Sequence, residues 1–222
     1  MGSNVTYRGP NDLPSVIPVF PLADALLLPR GSMPLNIFEP RYLALIDDAL
    51  KGGRLVGMIQ PDPSRSGSPT RPALYSVGCV GRITQLSETG DGRYLISLTG
   101  VARFRLLEEI AVVTPYRQCR VEYPFPCDFV AGQGADAVDR DAVLETLADF
   151  LSANDLKADW QDIDKAPTEL LVNALCMMSP FDAAEKQAML EAPDLPGRAE
   201  VLVAATRFAI ADNDDDGDTP LQ

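Results

Sequence analysis

Apolar residues in the first half of the chain come in short runs cut by proline and glycine. In the second half they recur every three to four positions. Short runs bounded by turn formers predict strands, and the 3.6-residue recurrence predicts amphipathic helices. Strands are therefore expected over 17–20, 25–28 and 34–38, the last held to a sheet edge or end by Pro34. Pro40 suits the first position of a helix, where its missing N–H costs nothing. Tyr42, Leu43, Ile46, Ala49 and Leu50 follow at helical spacing, and Gly52 and Gly53 end that helix. Further strands are expected over 54–60, 75–87, 93–99, 101–113 and 116–123, with Gly100 breaking one run from the next. Gly90 and Gly92 supply the positive φ of a hairpin turn. The 61–72 segment, PDPSRSGSPTRP, reads as a mobile polar loop.

Beyond residue 134 the period is helical. Val138, Leu144, Leu147, Phe150 and Leu151 stripe a helix over 135–153. Others are expected over 168–178, over 182–190 with Asp182 as its cap, and over 195–210 with Leu195, Ala199, Leu202, Val203, Thr206 and Ile210 on one face. Strands with one helix, followed by helices alone, give an α+β chain: a small bent sheet or open barrel, then a helical bundle. The expected organisation is a disordered start over 1–14, a β-rich unit over 15–123, a linker over 124–134, a bundle over 135–211 and a disordered acidic tail over 212–222.

At 222 residues and 46% hydrophobic content the chain can bury a core without staples. No apolar run approaches the ~20 residues of a membrane span, and the first residues lack a secretory signal, so the expected location is cytoplasmic. Gly2 and Thr6 fit a myristoylation pattern, against which stands the plainer reading of an unstructured start. Cys79, Cys119, Cys127 and Cys176 show no paired zinc-type spacing; Cys79 and Cys119 fall in strand patterns as small core residues. Charge is uneven. Through Tyr123 there are 13 Lys and Arg against 11 Asp and Glu, and beyond it 6 against 21. The acidic half disfavours polyanionic partners.

Catalytic chemistry finds little support. Histidine is absent, which removes the commonest general base and metal ligand. There is neither a G-x-x-x-x-G-K-S/T phosphate loop nor a G-x-S-x-G elbow. The four lysines, Lys51, Lys157, Lys165 and Lys186, have no serine beside them in an apolar setting. No catalytic residue, metal or cofactor is assigned. Phe38-Glu39-Pro40-Arg41-Tyr42 is read first as a folding corner: Phe38 in the core, Pro40 opening the helix, Arg41 tied to a strand or carboxylate, Tyr42 packed with its hydroxyl at the rim. The same corner can supply Arg41 and Tyr42 to a peptide groove. Met177, Met178 and Met189 fill core gaps or line an adaptable surface.

These segments also carry a resemblance. IPVFPL (17–22), PLNIFEPRY (34–42), VGCVGRITQL (77–86), LTGVARFRL (98–106) and EKQAMLEAPDLPGRAEVL (185–202), in that order, resemble the N-terminal domain of the Lon protease family from about Pro14 to Ile210. The resemblance implies a β-rich PUA-like pseudo-barrel joined to a helical bundle, and a role in recognising unfolded or tagged protein segments. With no ATPase or peptidase segment in the sequence, it implies a stand-alone recognition domain.

The leading expectation is a non-enzymatic binding module, an adaptor or holdase for partly exposed proteins. Leu26, Leu27, Leu28 and Met33 are its candidate apolar patch, with Phe38, Arg41 and Tyr42 beside it. The oligomeric state stays open, a homodimer included. An RNA-binding PUA-like domain is the alternative, through Arg82, Arg93, Arg103, Arg105, Arg117 and Arg120. It requires those charges gathered on one face.

Overall fold

The computed structural model describes residues 5–68, 71–153 and 157–216. They belong to two compact units, one through Ala131 and one from Gly132. The first holds strands β1 (Val16–Pro21), β2 (Ser32–Ile37), β3 (Leu55–Ile59), β4 (Val77–Glu88), β5 (Tyr94–Glu109) and β6 (Arg117–Glu122), with helix α1 (Pro40–Lys51) between β2 and β3.

The strands follow the order β2-β5-β4-β3-β1-β6, and β6 pairs again with β5. Five strands thus close a ring, with β2 laid along the first part of β5 from Ile37 opposite Tyr94 to Ser32 opposite Thr99. The far part of β5 closes on β6, from Arg105 opposite Glu122 to Glu109 opposite Cys119. Closure leaves the ring strands no free edge to aggregate through. β1 and β3 run parallel, which requires a crossover; β2 and α1 supply it. The ring is filled by Ile17, Val19, Val80, Ala102, Phe104, Cys119 and Val121. Phe104 needs a flat neighbour, and Gly78 on β4 provides it, since a Cβ there would strike the ring.

Several expectations change here. Residues 25–28 form no strand. Asp24 and Arg30 both take left-handed φ (59° and 65°), and the chain between them crosses β5 at Gly100 with Leu26, Leu27 and Leu28 buried. Gly100 does not break β5. It is the point where that crossing segment passes over, exchanging hydrogen bonds of 2.8 Å with Arg30 and Gly31. A side chain at Gly100 would run into the Leu28 carbonyl. Residues 5–14, expected to be disordered, are anchored as far as they touch the barrel. Leu13 is buried, Tyr7 packs on the core, and the Tyr123 hydroxyl donates to the Pro14 carbonyl at 2.9 Å. The described part of the 61–72 loop is also tied down, through Asp62 N–H to Ala73 O (2.9 Å) and Tyr75 N–H to Gln60 O (3.1 Å).

The expected linker is a further correction. Residues 124–131 belong to the first unit, and Asp128, in the 3-10 turn Pro126–Phe129, is one of its most buried polar groups. Its carboxylate accepts from Arg103 of β5, at 2.7 Å from the backbone N–H and 2.9 Å from Nη2. Phe125 covers the Arg103 guanidinium at 4.0 Å, and Arg30 donates to the Asp128 carbonyl at 2.6 Å. A charge taken out of water must find such a partner.

The second unit contains α2 (Arg140–Ala153), α3 (Trp160–Lys165), α4 (Thr168–Met178), α5 (Ala183–Glu191) and α6 (Leu195–Asp216). α6 contacts α2, α4 and α5. Buried Arg198 of α6 donates to Asn173 Oδ1 of α4 (2.9 Å) and to the Met189 carbonyl of α5 (3.2 Å). Asp182 and Glu185 form a reciprocal capping box at the start of α5. The short α3, not expected, is capped by Asp159, which accepts from the Gln161 N–H. Met189 is buried, whereas Met178 is exposed and fills no gap. α6 runs through Asp216, past the expected start of the acidic tail; residues 217–222 and Gly2 lie outside the described residues. Among the described residues no helix is long and apolar enough to cross a membrane.

Candidate functional site: a cavity at the start of α1

Helix α1 begins at Pro40 and carries Arg41 and Tyr42 in its first turn. Tyr42 packs inward, its ring stacked on Phe20 of β1 at 3.9 Å between centroids, its hydroxyl 3.4 Å from the Pro21 carbonyl. Arg41 stays at the surface, paired with Glu39 at 2.8 Å and lying over the Tyr42 ring at 4.6 Å. β6 pairs antiparallel with β1, Arg117 opposite Val19, so the 114–117 segment arrives beside Tyr42. Residues at the start of α1, the stretch leading into β6, and Pro61, Arg71 and Pro72 line a cavity of about 500 Å³. Its walls are apolar at Pro21, Pro61, Pro72, Val112 and Pro115, aromatic at Tyr42 and Tyr116, and cationic at Arg41, Arg71 and Arg117. That volume lies within the range of ligand-binding clefts.

The polar groups are firmly held. Glu109 accepts from Arg117 (2.7 Å) and from Arg71 (2.5 Å), and Arg117 also donates to the Pro72 carbonyl (2.8 Å). Burial works against ionisation of Glu109, but the hydrogen bonds from Arg117 and Arg71 outweigh it and hold the carboxyl below its ordinary value. Tyr116 donates to Asp48 at 2.8 Å; burial, and then that carboxylate, push its phenol up to about 12. For Tyr42, burial raises the pKa; Arg41 pulls against it, Glu39 adds to the rise, and Arg117 pulls against it less than either.

Of the seven site residues expected from sequence, this cavity gathers two, Arg41 and Tyr42. Leu26, Leu27 and Leu28 are core residues and offer no patch, because the crossing segment turns all three inward. Met33 is half-buried on β2, outside the cavity. Phe38, expected in the core, is 59% exposed, with Arg93 5.9 Å above its ring. The residues that sequence reasoning missed are Tyr116, Arg117 and Arg71. A signal was present: Pro40-Arg41-Tyr42 and Pro115-Tyr116-Arg117 combine the same three residue types, and Arg71-Pro72 repeats two of them.

Each arginine of the RNA reading already has a partner within the protein. Arg93, Arg103, Arg105, Arg117 and Arg120 pair with Asp91, Asp128, Glu122, Glu109 and Glu108. Arg82 donates to the Tyr7 hydroxyl and the Gly53 carbonyl.

Comparison with known proteins fits this architecture. The Lon protease of Anaeromyxobacter dehalogenans is 28% identical over 203 residues, covering 86% of this chain and 23% of that protein. The chain thus spans about a quarter of the length of the curated relatives it matches. The solved N-terminal domain of a Mycobacterium avium complex Lon protease covers 86% of this chain and 98% of its own, with a TM-score of 0.64 at 20% identity. A Lon N-terminal domain protein from Xanthomonas campestris superposes with a TM-score of 0.55 at 22% identity over 85% of this chain and 97% of its own. At those identities the two structures speak to fold, an α+β barrel-and-helix architecture. The ATP-dependent protease La (LON) substrate-binding domain family matches residues 16–205, and the chain belongs to that family.

Proposed function

We propose that this chain recognises exposed segments of other proteins, as an adaptor or holdase, and acts by binding without a covalent step. The observation that carries this is the cavity beside α1, where proline and tyrosine walls stand next to arginine side chains. Prolines and aromatics offer rigid apolar contact at little entropic cost, and guanidiniums orient backbone carbonyls or carboxylates. Membership of a substrate-binding family supports the same reading. The pairing of the β-unit arginines with carboxylates favours a protein client over a nucleic acid, as does the formal net charge of −13.

The test is fluorescence anisotropy with labelled, permanently unfolded α-lactalbumin, reduced and carbamidomethylated. Saturable binding is expected, and Arg41→Ala should weaken it several-fold. Folded α-lactalbumin should not compete. Casein and simple esters should emerge unchanged from prolonged incubation. Absence of binding to the unfolded client, or turnover of either substrate by the purified chain, would overturn the reading.

A further inference from the structure

We infer that the cavity beside α1 takes the free C-terminal carboxylate of a client chain that ends in an apolar residue. This rests on the proposed function and names the part of the client that the site would hold.

The inference comes from how charge and apolar surface alternate around the wall. Each cation sits next to a hydrocarbon surface in the sequence itself: Arg41 beside Tyr42, Arg71 beside Pro72, Arg117 after Pro115-Tyr116. A ligand that satisfies this lining must present negative charge and an apolar group within about one residue of each other. A terminal carboxylate does so from a single carbon, with the last side chain branching from the same Cα. An internal Asp or Glu carries its charge away from the backbone on its own side chain, leaving the apolar walls to be filled by neighbours.

The charge count points the same way. Three guanidiniums, Arg41, Arg71 and Arg117, share two carboxylates, Glu39 and Glu109. Asp48, on the far side of Tyr116, is matched by Lys51 at 2.9 Å. Among the lining guanidiniums and the carboxylates paired to them, positive charge exceeds negative by one, in a chain whose formal net charge is −13; Asp47 and Asp48 both bear on Lys51. Arg41 lies 4.6 Å over the Tyr42 ring, and Arg117 lines the same cavity, so two of the guanidiniums border the Tyr42 wall. A single carboxylate placed there would receive charge-assisted hydrogen bonds and bring the cluster to neutrality.

The test uses a fluorescein-labelled Gly-Ser peptide ending in Ala-Leu-Leu, once with a free carboxylate and once as the amide. A third peptide carries an internal Glu and an amidated end. The free acid should bind about tenfold tighter than the amide, the scale of one charge-assisted hydrogen bond. In Arg41→Gln, whose surface position spares the fold, that preference should shrink to about threefold or less. Equal binding of acid and amide would overturn the inference and leave the proposed function standing. So would failure of all three peptides while unfolded α-lactalbumin still binds. Failure of that client as well would overturn both. An internal-Glu peptide matching the free acid would assign the charge to a side chain and overturn the terminal reading. A full acid preference retained in Arg41→Gln would overturn the assignment to this cavity.

Discussion

Removing the carboxylate of Asp128 would strand a guanidinium with no water to turn to, because Arg103 is completely buried and Asp128 is 4% exposed. Breaking a buried pair from one side costs more than the pair contributes, since the remaining charge keeps its desolvation penalty without compensation. Asp128→Ala should therefore lower the urea unfolding free energy of the first unit by about 3–5 kcal/mol. Adding Arg103→Met to it should recover part of that loss by removing the orphaned charge. Glu109 makes a prediction of the opposite character, visible only with pH. Its hydrogen bonds from Arg117 and Arg71 overcome burial and keep its folded pKa below the unfolded value of about 4.3. A depressed carboxylate contributes stability that is complete above the unfolded pKa and disappears as pH falls through the folded one. Urea midpoints should thus drop below about pH 4. In Glu109→Gln the stability should be lower at neutral pH and the acid slope shallower. An unchanged slope would mean that other carboxylates govern acid unfolding.

At the scale of elements, the crossing of the leucine segment over β5 is the feature least tolerant of change. Gly100 gives and receives a backbone hydrogen bond there, and a Cβ would meet the Leu28 carbonyl, which is part of the main chain and cannot rotate away. Gly100→Ala should cost about 3 kcal/mol, the upper end of ordinary overpacking. Thermal melts should show the loss even though alanine prefers a strand to glycine. The same position marks where sequence reasoning stops. α5 is legible from period and capping, because Asp182 and Glu185 act locally, and α4 from its apolar period after Pro167. Gly100 reads as a strand break because its reason lies some 70 residues away, in the path of 26–31. Leu26, Leu27 and Leu28 read as a strand with apolar excess. Only the left-handed turns at Asp24 and Arg30 show that all three side chains go inward without a ladder. The site follows suit: Arg41 and Tyr42 are found from a local corner, but Tyr116 and Arg117 join them only through the register of β6 on β1.

For the chain as a whole, the question is where the β-rich unit ends. The strand pattern stops after Tyr123, and Pro124 to Gly134 has the composition of a joint. The compact unit nevertheless runs to Ala131, because the short turn after the last strand returns Asp128 to Arg103 and Phe125 to its guanidinium. Two fragments separate these alternatives. A fragment ending at Ala131 keeps Asp128, Cys127 and Phe125 beside Arg103 and should unfold cooperatively in urea, with near-UV circular dichroism showing fixed aromatic packing. A fragment ending at Tyr123 keeps all six strands and α1 but leaves Arg103 buried without its carboxylate, beneath a missing Phe125. It should lose a stability comparable to that of Asp128→Ala, together with the Arg30 contact to the Asp128 carbonyl. Introducing Arg103→Met into the shorter fragment should restore much of its cooperativity, since the uncompensated charge is then gone. If the shorter fragment is as stable as the longer one, the 124–131 segment is a linker after all, and the Arg103–Asp128 pair contributes nothing that defines the unit.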